Sequence, residues 1–275
     1  MRLAAGILPR ALYARRIYAD TTDVEAREKI ELLNVPLDIA APEKLEELVY
    51  ALLAEGTGKD IVLLSVWDLL RARRSGEYRS FVQNAALVIP ISKSMVKSAK
   101  FLKLAQPVRY MPFDFIITLL TILEKREQPV YLLGGKPPVL SKTEKNIRQT
   151  FPRLRIIGRY PGYFKKQNEP TIITMIRKST PALLLIGQGV PGRERWLAHN
   201  SAHLNPGLRL WCSDMFDVFS EHRKRPSRWV FNAGLEWIGY CFQKPARFFR
   251  VFLYIYYKIL VLASRLSRKE YPVVV

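Results

Sequence analysis

The sequence predicts an α/β fold with a Rossmann-like, mostly parallel sheet, and three observations support this prediction. Short apolar runs alternate with longer amphipathic stretches, glycine residues follow several of these runs, and 49% of the 275 residues are apolar. A chain of this size and composition can bury one sizeable core and still carry a smaller appendage. Alternating strands and helices are typical of a parallel sheet that helices cover on its faces.

The individual elements follow from the apolar pattern. Short apolar runs indicate strands that are buried on both faces. These predicted strands lie at residues 61–64, 86–89, 130–133, 154–157 and 182–186. Amphipathic stretches with apolar residues at helical spacing indicate helices. These predicted helices lie at residues 44–53, 67–74, 113–125, 139–150 and 169–178.

Charge and composition restrict the function classes. The chain has 44 Lys and Arg against 24 Asp and Glu, which gives a formal net charge of +20. Such an excess favours an anionic partner, namely nucleic acid, an anionic bilayer or a phosphorylated ligand. The two cysteines and three histidines show no zinc-site spacing, so we predict no disulfide framework, metal site or cofactor. Residues 1–28 are predicted to be a basic tail, because Pro9 interrupts their short apolar piece.

The composition changes towards the C-terminus. Residues 223–270 contain eleven Lys or Arg and two acidic residues, together with many aromatic side chains. We therefore predict a core of residues 29–210 and a C-terminal appendage of residues 211–275. No segment has the uncharged apolar length that a membrane span requires, since Arg250 and Lys258 interrupt the best candidate at residues 248–262.

A helix over Arg247 to Lys269 would place its basic residues within an arc of about 100°, beside a wide apolar face. This arrangement predicts a helix that lies on an anionic membrane surface. The alternative is a helix packed on the core or on another subunit, with its basic stripe in solvent. Nucleic acid is disfavoured as a partner, because aromatic residues mixed with Ile and Leu suit lipid better than base stacking.

Glycine residues follow two of the predicted strands, as Gly134 with Gly135 and as Gly187 with Gly189. Ligands of parallel sheets bind beyond the carboxyl ends of the strands, where glycine lets the backbone approach a phosphate. The alternative is that these glycines only form tight turns between strand and helix.

Several motifs in a fixed order resemble those of the WecG/TagA/CpsF family of N-acetylmannosaminyl and related sugar transferases. The resemblance covers about residues 29–250. The motifs are RARRSGEY at 71–78 with NAALVIP at 84–90, LGGKP at 133–137, Gly158 with GYF at 162–164, GQGVP at 187–191 with Glu194 and Trp196, and GLEW at 234–237 with Pro245, Arg247 and Arg250.

The resemblance implies an inverting transfer from a UDP-sugar donor to a polyprenyl-diphosphate-linked N-acetylglucosamine acceptor. It also implies a cytoplasmic protein held peripherally on the inner face of the cell membrane by its appendage; whether the protein forms a homo-oligomer stays open. The implied donor-binding residues are Gly134, Gly135, Gly162, Tyr163, Gly187, Gly189, Pro191 and Glu194. The implied cations for the departing diphosphate are Arg225, Arg247 and Arg250.

The chain departs from the family pattern at the position of the catalytic base. The family has Pro-Asp-Gly where this chain has Pro90 followed by Ile91, and isoleucine cannot accept a proton. Further departures lie at functional family positions. Leu63 replaces a Thr, Ser65 an Asn, Arg193 a Gln and Tyr240 an Arg.

A relocated base is one interpretation of this departure. The nearby carboxylates are Asp68, Asp114, Glu194 and Asp217, and Asp114 is our first choice as the substitute. Its alternative role is to cap the helix that begins near residue 115, and Glu194 could instead pair with Arg195. The sequence thus leaves two hypotheses, an active transferase or a catalytically inactive relative that binds nucleotide-sugar, lipid or an active paralogue.

Overall fold

The computed structural model describes residues 28–74, 76–204, 206–225, 227–233 and 249–267. Its strands are β1 Lys29–Leu32, β2 Val35–Asp38, β3 Gly58–Leu64, β4 Leu87–Pro90, β5 Pro129–Leu133, β6 Arg155–Tyr160, β7 Leu183–Gly187 and β8 Gly207–Ser213. Its helices are α1 Leu45–Ala54, α2 Val66–Ala72, α3 Glu77–Asn84, α4 Lys93–Phe101, α5 Pro112–Lys125, α6 Pro137–Thr150, α7 Glu169–Ser179, α8 Arg195–Asn200, α9 Met215–Phe219, α10 Arg228–Ala233 and α11 Phe249–Ser267.

Six strands form one sheet in the order β4-β3-β8-β7-β5-β6, and every neighbouring pair in it is parallel. This confirms the predicted α/β fold with a parallel sheet. Strands β1 and β2 form a separate antiparallel hairpin. The buried carboxylate of Asp38 at the end of this hairpin accepts a hydrogen bond of 2.6 Å from the backbone N–H of Val88, which ties the hairpin to β4.

All five predicted strands are present, whereas β8 was not predicted although it lies in the middle of the sheet. The charged residue Arg209 interrupts its apolar pattern. The protein buries this side chain in an ion pair with Asp60, in which Nε and Nη2 of the arginine donate to the two carboxylate oxygens at 2.7 and 3.0 Å. Gly58 leaves the space for this guanidinium, because a Cβ atom there would lie 2.7 Å from Nη1 of Arg209.

The core sheet continues past residue 210, where we placed the boundary of the appendage. Strand β8 runs through that position to Ser213. Helix α9 follows directly, and its Phe216 is fully buried with its ring against Gly187 of β7. Residues 211–219 therefore pack as part of the core in this structure.

Two apolar layers cover the two faces of the sheet. Successive side chains of a strand point to opposite faces, and in β7 Leu183 and Leu185 join one layer while Leu184 and Ile186 join the other. Helices α1, α5, α6 and α9 contribute to the first layer. The hairpin and helices α2, α3, α4, α7, α8 and α11 contribute to the second.

The helix predicted for residues 247–269 is present as α11, and it packs on the core through Tyr257 and Val261, which are 0% and 4% exposed. Arg265 reinforces this contact by donating a hydrogen bond of 2.8 Å to the backbone oxygen of Phe101 in α4. The single apolar face that we predicted is therefore divided. One part packs on the core, and the rest is a stripe of exposed side chains, namely Phe252, Ile255, Tyr256, Ile259, Leu262 and Leu266.

None of the helices in the described part of the chain is both long enough and apolar enough to cross a bilayer. The predicted N-terminal tail lies outside the described residues, except for Glu28. Tyr240, Arg247, Arg268 and Lys269 also lie outside them.

Candidate functional site

The loops at the carboxyl edge of the sheet are joined by backbone hydrogen bonds. Gly135, after β5, donates to the oxygen of Gln188 at 2.7 Å, and Gly162, after β6, donates to the oxygen of Gly135 at 2.8 Å. Gln188, after β7, donates to the oxygen of Ser213 at the end of β8, also at 2.8 Å. The loops that follow four adjacent strands thus form one continuous surface.

The glycines of this surface are required by contacts between loops. A Cβ atom on Gly134, whose φ is +117°, would lie 2.7 Å from the backbone oxygen of Gly187. A Cβ atom on Gly162 would lie 2.7 Å from the backbone oxygen of Gln188. At Gly189, with φ +89°, the space beside the backbone holds the aromatic ring of Tyr163. Substitution at any of these positions would force neighbouring loops apart.

These glycines therefore shape the site more than they contact a ligand. Gly134, Gly135, Gly162 and Gly187 are all buried. The N–H groups of the first three are already used, since Gly134 donates to Tyr160 and the other two make the bonds between loops. The next helix, α6, begins with two prolines, which have no N–H to offer a phosphate.

Exposed side chains are available at the same surface. Tyr163 is 60% exposed, and its ring packs over Gly189 at the end of β7. Lys136 is exposed directly after the buried glycine pair, and Pro191 is exposed beyond Gly189. Of the residues that the sequence indicated for donor binding, Tyr163 and Pro191 are the most accessible. An exposed aromatic ring suits stacking with a planar base.

Position 91 lies at this carboxyl edge, next to the end of β3. The N–H of Ile91 donates to the oxygen of Leu64 at 3.0 Å, and its own oxygen accepts a bond of 2.9 Å from Nε of Arg109. The hydroxyl of Ser92 accepts a bond of 3.3 Å from the N–H of Val66. The backbone at position 91 is thus well anchored, and its side chain is aliphatic.

Asp68 is the carboxylate of the helix that follows β3, and it has a capping role. The hydroxyl of Ser65 donates to its Oδ2 atom at 2.5 Å, and the N–H of Asp68 donates back to that hydroxyl at 3.2 Å. The backbone N–H of Ser65 also donates to Oδ2 of Asp68 at 3.2 Å, and this bond and the one from the N–H of Asp68 form a capping box at the start of α2. Burial raises the pKa of Asp68, and the bonds from Ser65 act to lower it.

The structure brings two of the predicted catalytic residues together, because the guanidinium of Arg225 forms an ion pair with Asp114. Asp114 lies in the first turn of α5, whose N-cap is Met111. The alternative interpretation of Asp114 as the N-cap is therefore wrong. Arg250 lies in α11, but its side chain is not among those described.

Arg109 has a structural role that the sequence did not indicate. Its Nη1 atom donates to the backbone oxygen of Phe231 at 2.8 Å, and its guanidinium lies 3.5 Å from the centre of the Phe231 ring. Burial lowers the pKa of Arg109 to about 10. The side chain thus connects the loop at Ile91 to α10, and only its charge marked it in the sequence.

A cavity of about 620 Å³ opens beside this edge, between residues 71–74, 76–79 and 192–195. We refer to it as the arginine cavity, because Arg71, Arg74, Arg79, Arg193 and Arg195 line it.

Glu194 is also part of this lining. It pairs with Arg71, with 2.5 Å between Oε1 and Nη2, so the suggested pairing with Arg195 is wrong. Among the described residues, no three Asp, Glu, His or Cys side chains converge as metal ligands would.

Comparison with known proteins gives two results. The model of the family described as "Glycosyl transferase WecG/TagA/CpsF family" matches residues 30–271. The chain is also 24% identical over 201 residues to the N-acetylglucosaminyldiphosphoundecaprenol N-acetyl-beta-D-mannosaminyltransferase of Bacillus subtilis (strain 168). That alignment covers 73% of this chain and 77% of the relative.

Proposed function

The chain belongs to the WecG/TagA/CpsF family of glycosyl transferases, and from this premise we propose that it transfers an N-acetylmannosamine-type sugar in cell-surface polysaccharide assembly. The donor is a UDP-sugar, and the acceptor is N-acetylglucosamine linked to a polyprenyl diphosphate, as the name of the relative suggests. The observation that carries the proposal is the continuous loop surface at the carboxyl edge, which has position 91 and the exposed Tyr163 at the same edge.

The reaction requires a proton acceptor and a stabilised leaving group. The acceptor hydroxyl attacks the anomeric carbon on the face opposite the diphosphate, the new glycosidic bond forms, and the bond from carbon to the phosphate oxygen breaks. The electron pair of that bond leaves with UDP, while a base takes the hydroxyl proton. We assign the base to Asp114 and the neutralisation of the leaving diphosphate to Arg225, with Arg247 and Arg250.

The proposed base, Asp114, and the proposed cation, Arg225, form an ion pair with each other in the free protein. A diphosphate that attracts Arg225 would leave the carboxylate of Asp114 to accept a proton. Substrate binding is therefore coupled to activation of the base in this proposal.

A second candidate function is supported by Ile91. General-base catalysis contributes roughly 10² to 10⁴ to a rate, so its loss leaves at most slow transfer. A chain that keeps the loop surface but lacks this base could act as a binding partner or regulator of an active paralogue. Turnover of the donor sugar separates the two candidates.

Binding of UDP at the loop surface provides the first test. We expect Gly189→Ala to weaken UDP binding by about tenfold or more in calorimetry, because the new methyl group must displace the ring of Tyr163. Gly56→Ala is the matched control, since Gly56 also has a positive φ, of +66°, but has nothing within 4 Å of the added atom. Absence of UDP binding by the unmodified protein would contradict the proposal, as would equal losses in the two variants.

We further propose that the protein is peripheral on the inner face of the cell membrane and that the exposed stripe of α11 contacts lipid. Phe252, Ile259 and Leu266 are 69%, 58% and 62% exposed, although they are large apolar side chains. Lys258 and Arg265 lie on the same helix and are exposed. An apolar stripe flanked by cations suits an anionic membrane surface.

Flotation with lipid vesicles tests this surface. We expect binding to vesicles that contain phosphatidylglycerol, and we expect Ile255→Asn with Ile259→Asn to reduce it by about tenfold or more, since each buried Ile contributes roughly 1.5–3 kcal/mol. Trp67→Asn is the control, because it removes an exposed aromatic side chain from α2 instead. Unchanged flotation of the α11 variant would show that another surface contacts the membrane.

A further inference from the structure

We propose that the arginine cavity binds a diphosphate group that carries a sugar. Its volume of about 620 Å³ lies within the range of roughly 300–1,000 Å³ that is typical of small-molecule sites. Two parts of the chain that are distant in sequence form its walls, namely residues 71–74 with 76–79 and residues 192–195. The residues of the cavity themselves indicate a diphosphate. Which molecule bears that diphosphate, the UDP-sugar donor or the lipid-linked acceptor, is inferred from the proposed function.

The charge of the cavity is the first argument. Its lining has five arginines and only two glutamates, Glu77 and Glu194, which leaves a net charge of +3. Both glutamates already have partners, since Glu194 pairs with Arg71 and Glu77 pairs with His199. Across the described ranges, the other four arginines of the lining form no ion pair. These four are Arg74, Arg79, Arg193 and Arg195.

The position of Arg71 is the second argument, because this guanidinium is held in place before any ligand arrives. It lies 3.4 Å from the centre of the Tyr78 ring. Its Nη2 atom lies 2.5 Å from Oε1 of Glu194, which ties residue 71 to the opposite wall of the cavity.

Arginine also matches the chemistry of the ligand. Its planar guanidinium donates two parallel hydrogen bonds to phosphate oxygens, so several arginines in one concave site favour a group with adjacent phosphates. A single carboxylate would neutralise less of the charge than a diphosphate does.

The location of the cavity indicates which substrate it receives. One wall, at residues 71–74 and 76–79, begins at the end of α2, the helix that follows β3. The other wall, at residues 192–195, continues directly from the loop after β7, so the cavity adjoins the loop surface. A transferase binds two diphosphate compounds at once, and the proposed function places the UDP-sugar at the exposed Tyr163. On that basis we assign the arginine cavity to the diphosphate of the lipid-linked acceptor.

Calorimetry with inorganic pyrophosphate at constant ionic strength tests the cavity without any transfer reaction. We expect the full chain to bind pyrophosphate and Arg74→Gln with Arg193→Gln to weaken this binding by about tenfold or more, because two charge-assisted contacts are lost. Arg153→Gln with Arg155→Gln is the matched control, since it removes the same charge from exposed positions at the start of β6. No binding by the unmodified chain, or equal losses in the two double variants, would overturn the proposal.

Binding of two further ligands shows which substrate places its diphosphate in the cavity. These ligands are UDP and a water-soluble farnesyl-diphosphate N-acetylglucosamine. Loss of farnesyl-ligand binding with retention of UDP binding in the cavity variant supports the assignment to the acceptor. Loss of UDP binding with retention of the farnesyl ligand would overturn that assignment and place the donor diphosphate in the cavity. These experiments measure binding only, so their result does not depend on whether the protein transfers sugar.

Discussion

If Asp114 does not act as the base, replacing Ile91 with Asp and Leu63 with Thr should raise the rate of sugar transfer by roughly 10²- to 10⁴-fold, the usual contribution of a general base. Residue 91 directly follows β4, and its backbone is fixed by hydrogen bonds to Leu64 and from Arg109. Leu63 lies opposite Ile89 of β4 in the parallel register, one strand away. A carboxylate at residue 91 would therefore stand on a well-held backbone at the carboxyl edge of the sheet. The measurement is mass-spectrometric detection of the lipid-linked disaccharide formed from UDP-N-acetylmannosamine.

The matched control is Ile91→Asn with Leu63→Thr, which has the same shape but no base. Equal rates for the Asp and Asn variants would contradict the prediction. Asp114→Asn in the unmodified chain provides the other arm of the experiment. If Asp114 is the relocated base, this change should remove the remaining transfer while UDP binding persists. Transfer that survives Asp114→Asn would exclude that role, and no transfer by the unmodified chain would favour the inactive relative.

Replacing Arg209 with Met should lower the free energy of unfolding by about 3–5 kcal/mol, because it leaves the buried carboxylate of Asp60 without its partner. Both residues are in the centre of the sheet, where Arg209 is 5% exposed. The change also removes the hydrogen bond of 2.9 Å that Nη1 of Arg209 donates to the backbone oxygen of Ser201. Urea unfolding followed by circular dichroism would measure the loss.

The double variant Arg209→Met with Asp60→Leu separates the cost of the unpaired Asp60 carboxylate from the loss of the other contacts of Arg209. It should recover most of the lost stability, because an apolar pair of similar volume no longer buries a lone charge. Additive losses in the two single variants and the double variant would show that the residues do not act as a pair.

The loss in Arg209→Met should also depend on pH. Burial raises the pKa of Asp60, and the charge and hydrogen bonds of Arg209 act to lower it. Without Arg209 the pKa of the folded carboxyl rises further above its unfolded value, so the folded state takes up a proton more readily. The deficit should therefore be largest near neutral pH and should shrink as the pH falls through the raised pKa. A deficit that grows on acidification would contradict this reasoning.

The apolar pattern of the sequence was sufficient for much of the fold. Five of the six strands of the parallel sheet and the helices near residues 45, 113, 139 and 169 were predicted, because burial on both faces and helical periodicity are local properties of the chain. Strand β8 escaped prediction because its charged Arg209 becomes a core residue only when Asp60 of β3 lies beside it. Helix α11 was predicted as a helix, but the division of its apolar surface depends on its contact with α4.

The ordered motifs of the sequence indicated the family, which the family comparison confirmed, and they led to the prediction that residue 91 lacks the base. Only the tertiary structure decided what the neighbouring residues do. It showed that the glycines at 134 and 162 let adjacent loops pack closely, that Asp114 pairs with Arg225, and that Glu194 pairs with Arg71. It also brought the arginines of residues 71–79 together with those at 193 and 195 in one cavity. The physical reason is that strand and helix formation depend on neighbours in sequence, whereas packing, ion pairing and cavity shape depend on residues far apart in the chain.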